Sequence, residues 1–236
     1  MGHNAPRTAI IVPAAGRGER LGPGAPKALR TLAGQPILVH AVRNLATARC
    51  VDLIVVAAPE DTVEEIRALL GDIDTQLVIV TGGQTRQDSV ARALLALPPD
   101  VDVVLVHDAA RPLVPSDVVD RVATAVRSGS DAVIPTLGVV DTIKEVDAEG
   151  VVRTTLDRSR LHAVQTPQGF ARAVLQRAHA DSDGEDATDD AGLVERMGVT
   201  VTVVPGDEEA FKITRPLDLV LAEAILVRRR AAGGVG

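Results

Sequence analysis

The chain has no tryptophan, no tyrosine and only two phenylalanines among its 236 residues. Gripping single-stranded nucleic acid by stacked bases needs aromatic platforms, so that mode of binding is excluded. Positive charge is also in deficit: 25 Lys and Arg face 32 Asp and Glu, a net of −7 at pH 7. That balance opposes nonspecific attachment to nucleic acid or to anionic membranes. One cysteine, Cys50, allows neither an internal disulfide nor a cysteine-cluster metal site. No apolar run approaches the ~20 residues of a membrane span, and no apolar leader segment opens the chain, so a cytoplasmic protein is expected.

What is present is aliphatic. Hydrophobic residues make up 46%, enough for a sizeable core built from Val, Leu, Ile and Ala. The length suits a single domain over 1–236. Apolar β-rich runs stand at 8–12, 53–58, 77–81, 102–107, 131–135 and 200–204. They are apolar throughout rather than alternating, as strands covered on both faces are. Helical patterns separate them: 36–48, with Ile37, Ala41, Val42 and Leu45 on one face, and 86–97, with Val90, Ala93, Leu94 and Leu97 together. Further helices are expected at 60–70, 116–128, 170–180, 189–196 and 215–229. Ser116 and Thr188 stand where capping residues would. The alternation predicts an α/β fold with a Rossmann-like, mostly parallel sheet flanked by helices. Residues 138–166 break the rhythm and read as two β-rich segments around an Asp147–Gly150 turn, an arm or lid.

Residues 12–30, VPAAGRGERLGPGAPKALR, follow the first strand and hold four glycines, three prolines and four cations. The loop falls at the carboxyl edge of a parallel sheet, where such folds bind ligands. Glycine lets backbone N–H groups approach an anion, and Arg17, Arg20, Lys27 and Arg30 oppose Glu19 alone. Two phosphate motifs fail: Leu21 occupies the third glycine position of a dinucleotide loop, and Lys27 is followed by Ala28 rather than Ser or Thr. An ordinary Gly/Pro surface loop remains the alternative from spacing alone. The acidic run 181–186 lacks the sixth-position glycine and twelfth-position glutamate of a calcium loop and reads as solvated. The histidines show no metal-ligand spacing, and His107 reads as a structural strand-end residue.

The string AAGxGxRxxxxxPK at 14–27 resembles the signature of nucleotidyltransferases that activate sugar and polyol phosphates. GGQTRQDSV (82–90), VHDAARP (106–112), DTIK (141–144), DR (157–158), TPQ (166–168), TDD (188–190) and FKITRPLDL (211–219) narrow it. Together they resemble the 2-C-methyl-D-erythritol 4-phosphate cytidylyltransferase family over about residues 8–227. The family often has Gln after the loop lysine; here Ala28 stands there, which touches only a secondary contact.

The resemblance implies transfer of CMP from CTP to methylerythritol phosphate with release of pyrophosphate, in non-mevalonate isoprenoid synthesis. It also implies a Mg²⁺ requirement and a homodimer whose extended β-hairpin arm, the 138–166 segment, reaches the partner's site. Arg20 and Lys27 would stabilise charge on the transferring phosphates, and Lys212 would face the acceptor phosphate, making these the catalytic candidates. Pro13, Ala14, Ala15, Gly16, Gly18, Gly82, Gly83, Ser89, Asp108 and Ala109 would contact CTP. Asp108, Arg111, Thr142, Arg158, Thr166, Thr188 and Lys212 would contact the acceptor. Asp108 is also the candidate metal contact, with Mg²⁺ carried mainly on the CTP phosphates. Arg86 is left between a pocket role and a plain helix surface. Two rival readings stand beside this one: a cytidylyltransferase for another polyol phosphate such as ribitol phosphate, and a nucleotide-binding module without catalysis, which could dispense with Lys27 and Lys212.

Overall fold

The computed structural model describes residues 6–15, 27–181 and 188–233. In chain order its elements are β1 (Arg7–Pro13), β2 (Thr31–Leu32), β3 (Gln35–Pro36), α1 (Ile37–Ala46), β4 (Leu53–Ala58), α2 (Val63–Leu69), β5 (Gln76–Thr81), α3 (Arg86–Leu95) and β6 (Val101–Val106). There follow α4 (Ser116–Arg127), β7 (Ala132–Gly138), β8 (Lys144–Val146), β9 (Val152–Thr155), β10 (His162–Val164), β11 (Gln168–Ala171), α5 (Arg172–Ala180), α6 (Asp190–Arg196), β12 (Val201–Pro205) and α7 (Pro216–Gly233).

β1 shows why the strands are apolar on both faces. Ile10 and Val12 point into one core with Leu38, Val42, Val118 and Val122 of α1 and α4. Ala9 and Ile11 point into another with Val90, Ala93, Leu175 and Leu193 of α3, α5 and α6. Period-two alternation thus feeds two helical layers, and each fully buried aliphatic side chain contributes roughly 1.5–3 kcal/mol. All the helix-face residues expected in α1 and α3 lie in these cores or are buried beside them.

The eight-stranded sheet runs β10–β7–β11–β6–β1–β4–β5, with β12 added to β7. β1 pairs in parallel with β4 and β6, β4 with β5, and β12 with β7. β11 is an antiparallel insertion between β6 and β7, and β10 returns antiparallel along the end of β7. The apolar runs of the sequence predict neither. β11 is four residues long, and its start, Gln168-Gly169, has no strand preference of its own. Gly169 is demanded by packing, since a Cβ there would come within 2.6 Å of Val122.

Two cap assignments change. Ser116 is the first residue of α4, and Pro115 precedes it without a side-chain cap. At α6 the cap is Asp189, not Thr188: its carboxylate accepts from Gly192 N at 2.9 Å. A carboxylate one residue closer to the helix reaches the free amides directly. Within the 138–166 segment β8 and β9 leave the main sheet, while β10 at its end rejoins it beside β7. β8 and β9 pair only with each other around a turn in which Asp147 Oδ1 accepts from Glu149 N and Val151 N, and Gly150 takes a φ of 82°. Among the described residues, no helix is long and apolar enough to cross a membrane.

Candidate active site

Because β1, β4, β5 and β6 run parallel, their carboxyl ends share one edge. That edge gathers Pro13–Ala15, Gly82–Gly83 and His107–Asp108. Ala14 N donates to Ala57 O at 2.8 Å, Gly82 N to Ala58 O at 2.7 Å and His107 N to Ile11 O at 2.9 Å, so each loop leaves its strand on a neighbour's carbonyl. A Cβ on Gly82 would sit 2.8 Å from the Ala15 Cβ, and one on Gly83 only 2.1 Å from the Asp88 Cβ. Glycine is therefore required where the β1 and β5 loops meet. Behind them α3 opens with a reciprocal cap between Thr85 and Asp88. Ser89 is buried; its hydroxyl accepts from Gly83 N at 3.0 Å and donates to Thr85 O at 2.9 Å. Ser89 thereby shapes the Gly82–Gly83 loop.

At the end of β6, burial pushes the His107 imidazole down to about 4 and keeps it neutral. Its Nε2 donates to the Arg111 carbonyl at 3.1 Å, which leaves Nδ1 to accept from the Thr166 hydroxyl at 3.1 Å. Thr166 Oγ1 in turn accepts from Asp108 N at 3.1 Å. Arg111 donates to the carbonyls of Ala210 at 2.7 Å and Val164 at 3.1 Å, tying the segments that carry Lys212 and Thr166 to this turn. Ile213 N donates to Ala110 O at 2.8 Å, and the Ile213 side chain is buried with Leu32, Ile37 and Leu113. That anchor delivers Lys212: its Nζ donates to Asp108 Oδ2 at 2.6 Å.

The other oxygen of Asp108 accepts from Arg86 Nε at 3.2 Å. Burial by itself would raise the Asp108 carboxyl, but Arg86 and Lys212 outweigh it and hold the group well below the usual carboxylate range. Arg86 also pairs with Asp190 at 2.7 Å, and Asp190 meets His179 Nε2 at 2.9 Å. Arg86 is thus not a plain surface arginine. Sequence reasoning meets Asp190 only within TDD, as a residue of a helix start, and gives His179 no role. Within TDD a buried carboxylate cannot be told from a capping one until α6 is seen against α3.

Of the expected site residues, the structure brings together Pro13, Ala14, Ala15, Gly82, Gly83, Asp108, Ala109, Arg111, Thr166 and Lys212, with Ser89 beneath. Thr188 is exposed beside the Asp189 cap. Thr142 and Arg158 belong to the exposed arm, where the Arg158 guanidinium donates to the Val140 carbonyl. Lys27 opens the short helical turn Lys27–Leu29. Gly16, Gly18, Arg20 and most of the acidic 181–186 run lie outside the described residues.

A mostly parallel sheet with helices on both faces is an open α/β fold, and its carboxyl edge, where such folds bind ligands, here gathers two obligatory glycines, a fixed ammonium and a carboxylate. The family profile of 2-C-methyl-D-erythritol 4-phosphate cytidylyltransferase matches residues 8–228. A Streptomyces coelicolor protein of that name is 56% identical, with 99% of this chain and 90% of the relative covered. The crystal structure of the Thermus thermophilus protein of the same name is 38% identical, with a TM-score of 0.74 over 93% of this chain and 98% of that one. A 4-diphosphocytidyl-2C-methyl-D-erythritol synthase from Anaerococcus prevotii is 27% identical and superposes with a TM-score of 0.84 over 94% and 96%. The chain belongs to the 2-C-methyl-D-erythritol 4-phosphate cytidylyltransferase family.

Proposed function

We propose that the cleft between the β1 loop, Gly82–Gly83 and Asp108 is where this chain, a CTP-dependent cytidylyltransferase of isoprenoid precursor synthesis, joins CTP to methylerythritol phosphate. The observation that carries this placement is Lys212 Nζ held 2.6 Å from Asp108 Oδ2 at the carboxyl edge of the sheet. An ammonium has three donors. With one on Asp108, two remain for oxygens of an acceptor phosphate.

An acceptor phosphate oxygen attacks the α-phosphorus of CTP, the α-phosphorus–oxygen bond to the β-phosphate breaks, and pyrophosphate leaves with that electron pair. The attacking group is already an anion, so no proton need be removed. Positioning and charge neutralisation supply the catalysis. Pro13–Gly16, Gly18, Gly82, Gly83 and Ala109 offer backbone contacts to CTP, and Arg20 and Lys27 meet its phosphates. Asp108 orients Lys212 and faces the substrate hydroxyls, Thr166 holds the Asp108 backbone in place through its hydroxyl, and Arg111 braces the loops around it. Thr188 lines the acceptor side.

The described residues build no all-protein cage for magnesium. No group of three His, Cys, Asp or Glu gathers among them, and both Asp108 oxygens already accept from cations. The metal the family implies would come on the triphosphate with its own waters.

The arm supports a homodimer. Val140, Val146, Val151 and Val152 are more than half exposed on or beside a two-stranded ladder that is marginal by itself. A partner subunit would cover them, and Thr142 and Arg158 would then enter the partner's cleft. The decisive test is pyrophosphate release with CTP, Mg²⁺ and methylerythritol phosphate, with ribitol phosphate as the comparison acceptor. Release with the first and not the second is expected. No release with methylerythritol phosphate would overturn the reading.

A further inference from the structure

The Arg86–Asp190 pair lies behind the cleft, and no step above uses it. Asp190 is almost wholly enclosed, with 1% of its side chain exposed, yet it is charged. Burial raises its carboxyl, and the Arg86 guanidinium with His179 reverses that and holds it below the ordinary value. A buried ion pair is a poor device for stability, because apolar residues of similar volume often serve as well or better. What it does supply is a fixed charge for Arg86 to sit against: Nη1 stands 2.7 Å from Asp190 Oδ2 as an ion pair, while Nε donates to Asp108 Oδ1 at 3.2 Å.

Asp190 is itself immobilised from both sides. Its neighbour Asp189 caps α6 and accepts from Gln168 Nε2 at 2.6 Å, while Ala191 N donates to Gln168 Oε1 at 3.1 Å. Gln168 opens β11, which is paired with β6, the strand that leads through His107 into Asp108. His179 of α5 meets the remaining Asp190 oxygen. A continuous row of polar and charged groups therefore runs from the interior to the cleft: His179, Asp190, Arg86, Asp108, Lys212. It ends at an ammonium that is 37% exposed.

We propose that Asp190 is a positioning residue for cytidylyl transfer, fixing Arg86 so that Asp108 aims the Lys212 ammonium at the acceptor phosphate. The inference rests on the proposed reading of the cleft. It also gives the TPQ and TDD motifs a shared task, since Gln168 and Asp190 hold one end of the row.

The test compares Asp190→Asn, Arg86→Lys and the double variant with the wild type, measuring kcat and KM for methylerythritol phosphate together with thermal midpoints. A lysine can pair with Asp190 or with Asp108 but cannot bridge them. In each single variant, kcat/KM of the folded enzyme is expected to fall on the order of 10–100-fold, the cost of an ångström-scale misplacement. The double variant is expected to be no worse than the poorer single one, because both changes cut the same row. Losses that multiply would overturn the proposal. So would lowered midpoints with kcat/KM within about twofold of wild type, the mark of a purely structural pair. If Asp190→Asn does not fold, Arg86→Lys alone decides, and wild-type kcat/KM in that variant overturns the proposal. Absence of pyrophosphate release from the wild type would remove the cytidylyl reading itself, an outcome distinct from active wild type with unchanged variants.

Discussion

Lys27 and His107 illustrate two ways in which one residue matters. Lys27 opens a three-residue helical turn, which alanine suits as well as lysine does, so its loss should leave the fold intact. Lys27→Ala is expected to lower kcat by at least about 100-fold, the scale of removing one preorganised donor to developing charge. Pyrophosphate release by a variant with an unchanged circular dichroism spectrum checks this, and wild-type turnover would take Lys27 out of catalysis. His107 acts through the folded state instead. Its folded pKa, pushed down to about 4 by burial, lies below the unfolded value of 6.5. As pH falls, the unfolded chain takes the proton first. Stability is therefore full above pH 6.5 and declines between 6.5 and about 4, by at most about 1.4 kcal/mol per pH unit. His40, also lowered by burial, adds a decline in the same direction. Urea unfolding at about pH 7 and about pH 5 should show the loss, and His107→Gln should shrink the difference without abolishing it. At this scale Gly82, Gly83, Asp108 and Lys212 came into view through the resemblance carried by GGQTRQDSV, VHDAARP and FKITRPLDL, and the fold brings them to one edge of the sheet. Arg86 was ambiguous there: an arginine at the start of a helix looks the same whether it faces water or two carboxylates.

The elements were legible wherever a hydrophobic period ran for five residues or more. β1, β4, β5 and β6 fell where their apolar runs are, and α1 and α3 buried the faces their spacing dictates. β11 was hidden because its strand character comes from pairing with β6 and β7 rather than from its own four residues. The loop between β5 and α3 carries its own prediction. A methyl group at Gly83 would have to occupy the space of the Asp88 Cβ, 2.1 Å away, and Asp88 is half of the α3 cap. Gly83→Ala is therefore expected to lower stability by about 1–3 kcal/mol, the usual cost of overpacking. It should also raise KM for CTP more than KM for the acceptor, because the displaced loop borders the proposed nucleotide side. Denaturation midpoints and the two KM values together test this, and equal changes in both KM values would contradict it.

At the scale of the whole molecule, the question is where the arm goes. β8 and β9 touch nothing but each other as strands, and their valines face outward. If the arm completes a partner's cleft, Arg158→Ala and Lys27→Ala chains, each inactive, should complement when mixed. Random re-pairing makes half the dimers mixed, and each mixed dimer holds one intact cleft, so about one quarter of wild-type activity should return. Verified mixed dimers without activity would place the arm on its own subunit's cleft.

Local rules were sufficient for some of this protein. The alternation of apolar runs with helical periods determined a mostly parallel sheet between two helical layers, because burial on both faces leaves few other solutions. The glycines and cations of residues 12–30 marked that loop as the expected place for a polyanion. Tertiary structure alone decided the insertion of β11, the passage from Asp190 through Arg86 to Lys212, and the use of Arg111 as a brace. Those contacts join residues far apart along the chain. The energy of a buried charge depends on which partner the fold brings to it, and no local pattern of residue types encodes that partner.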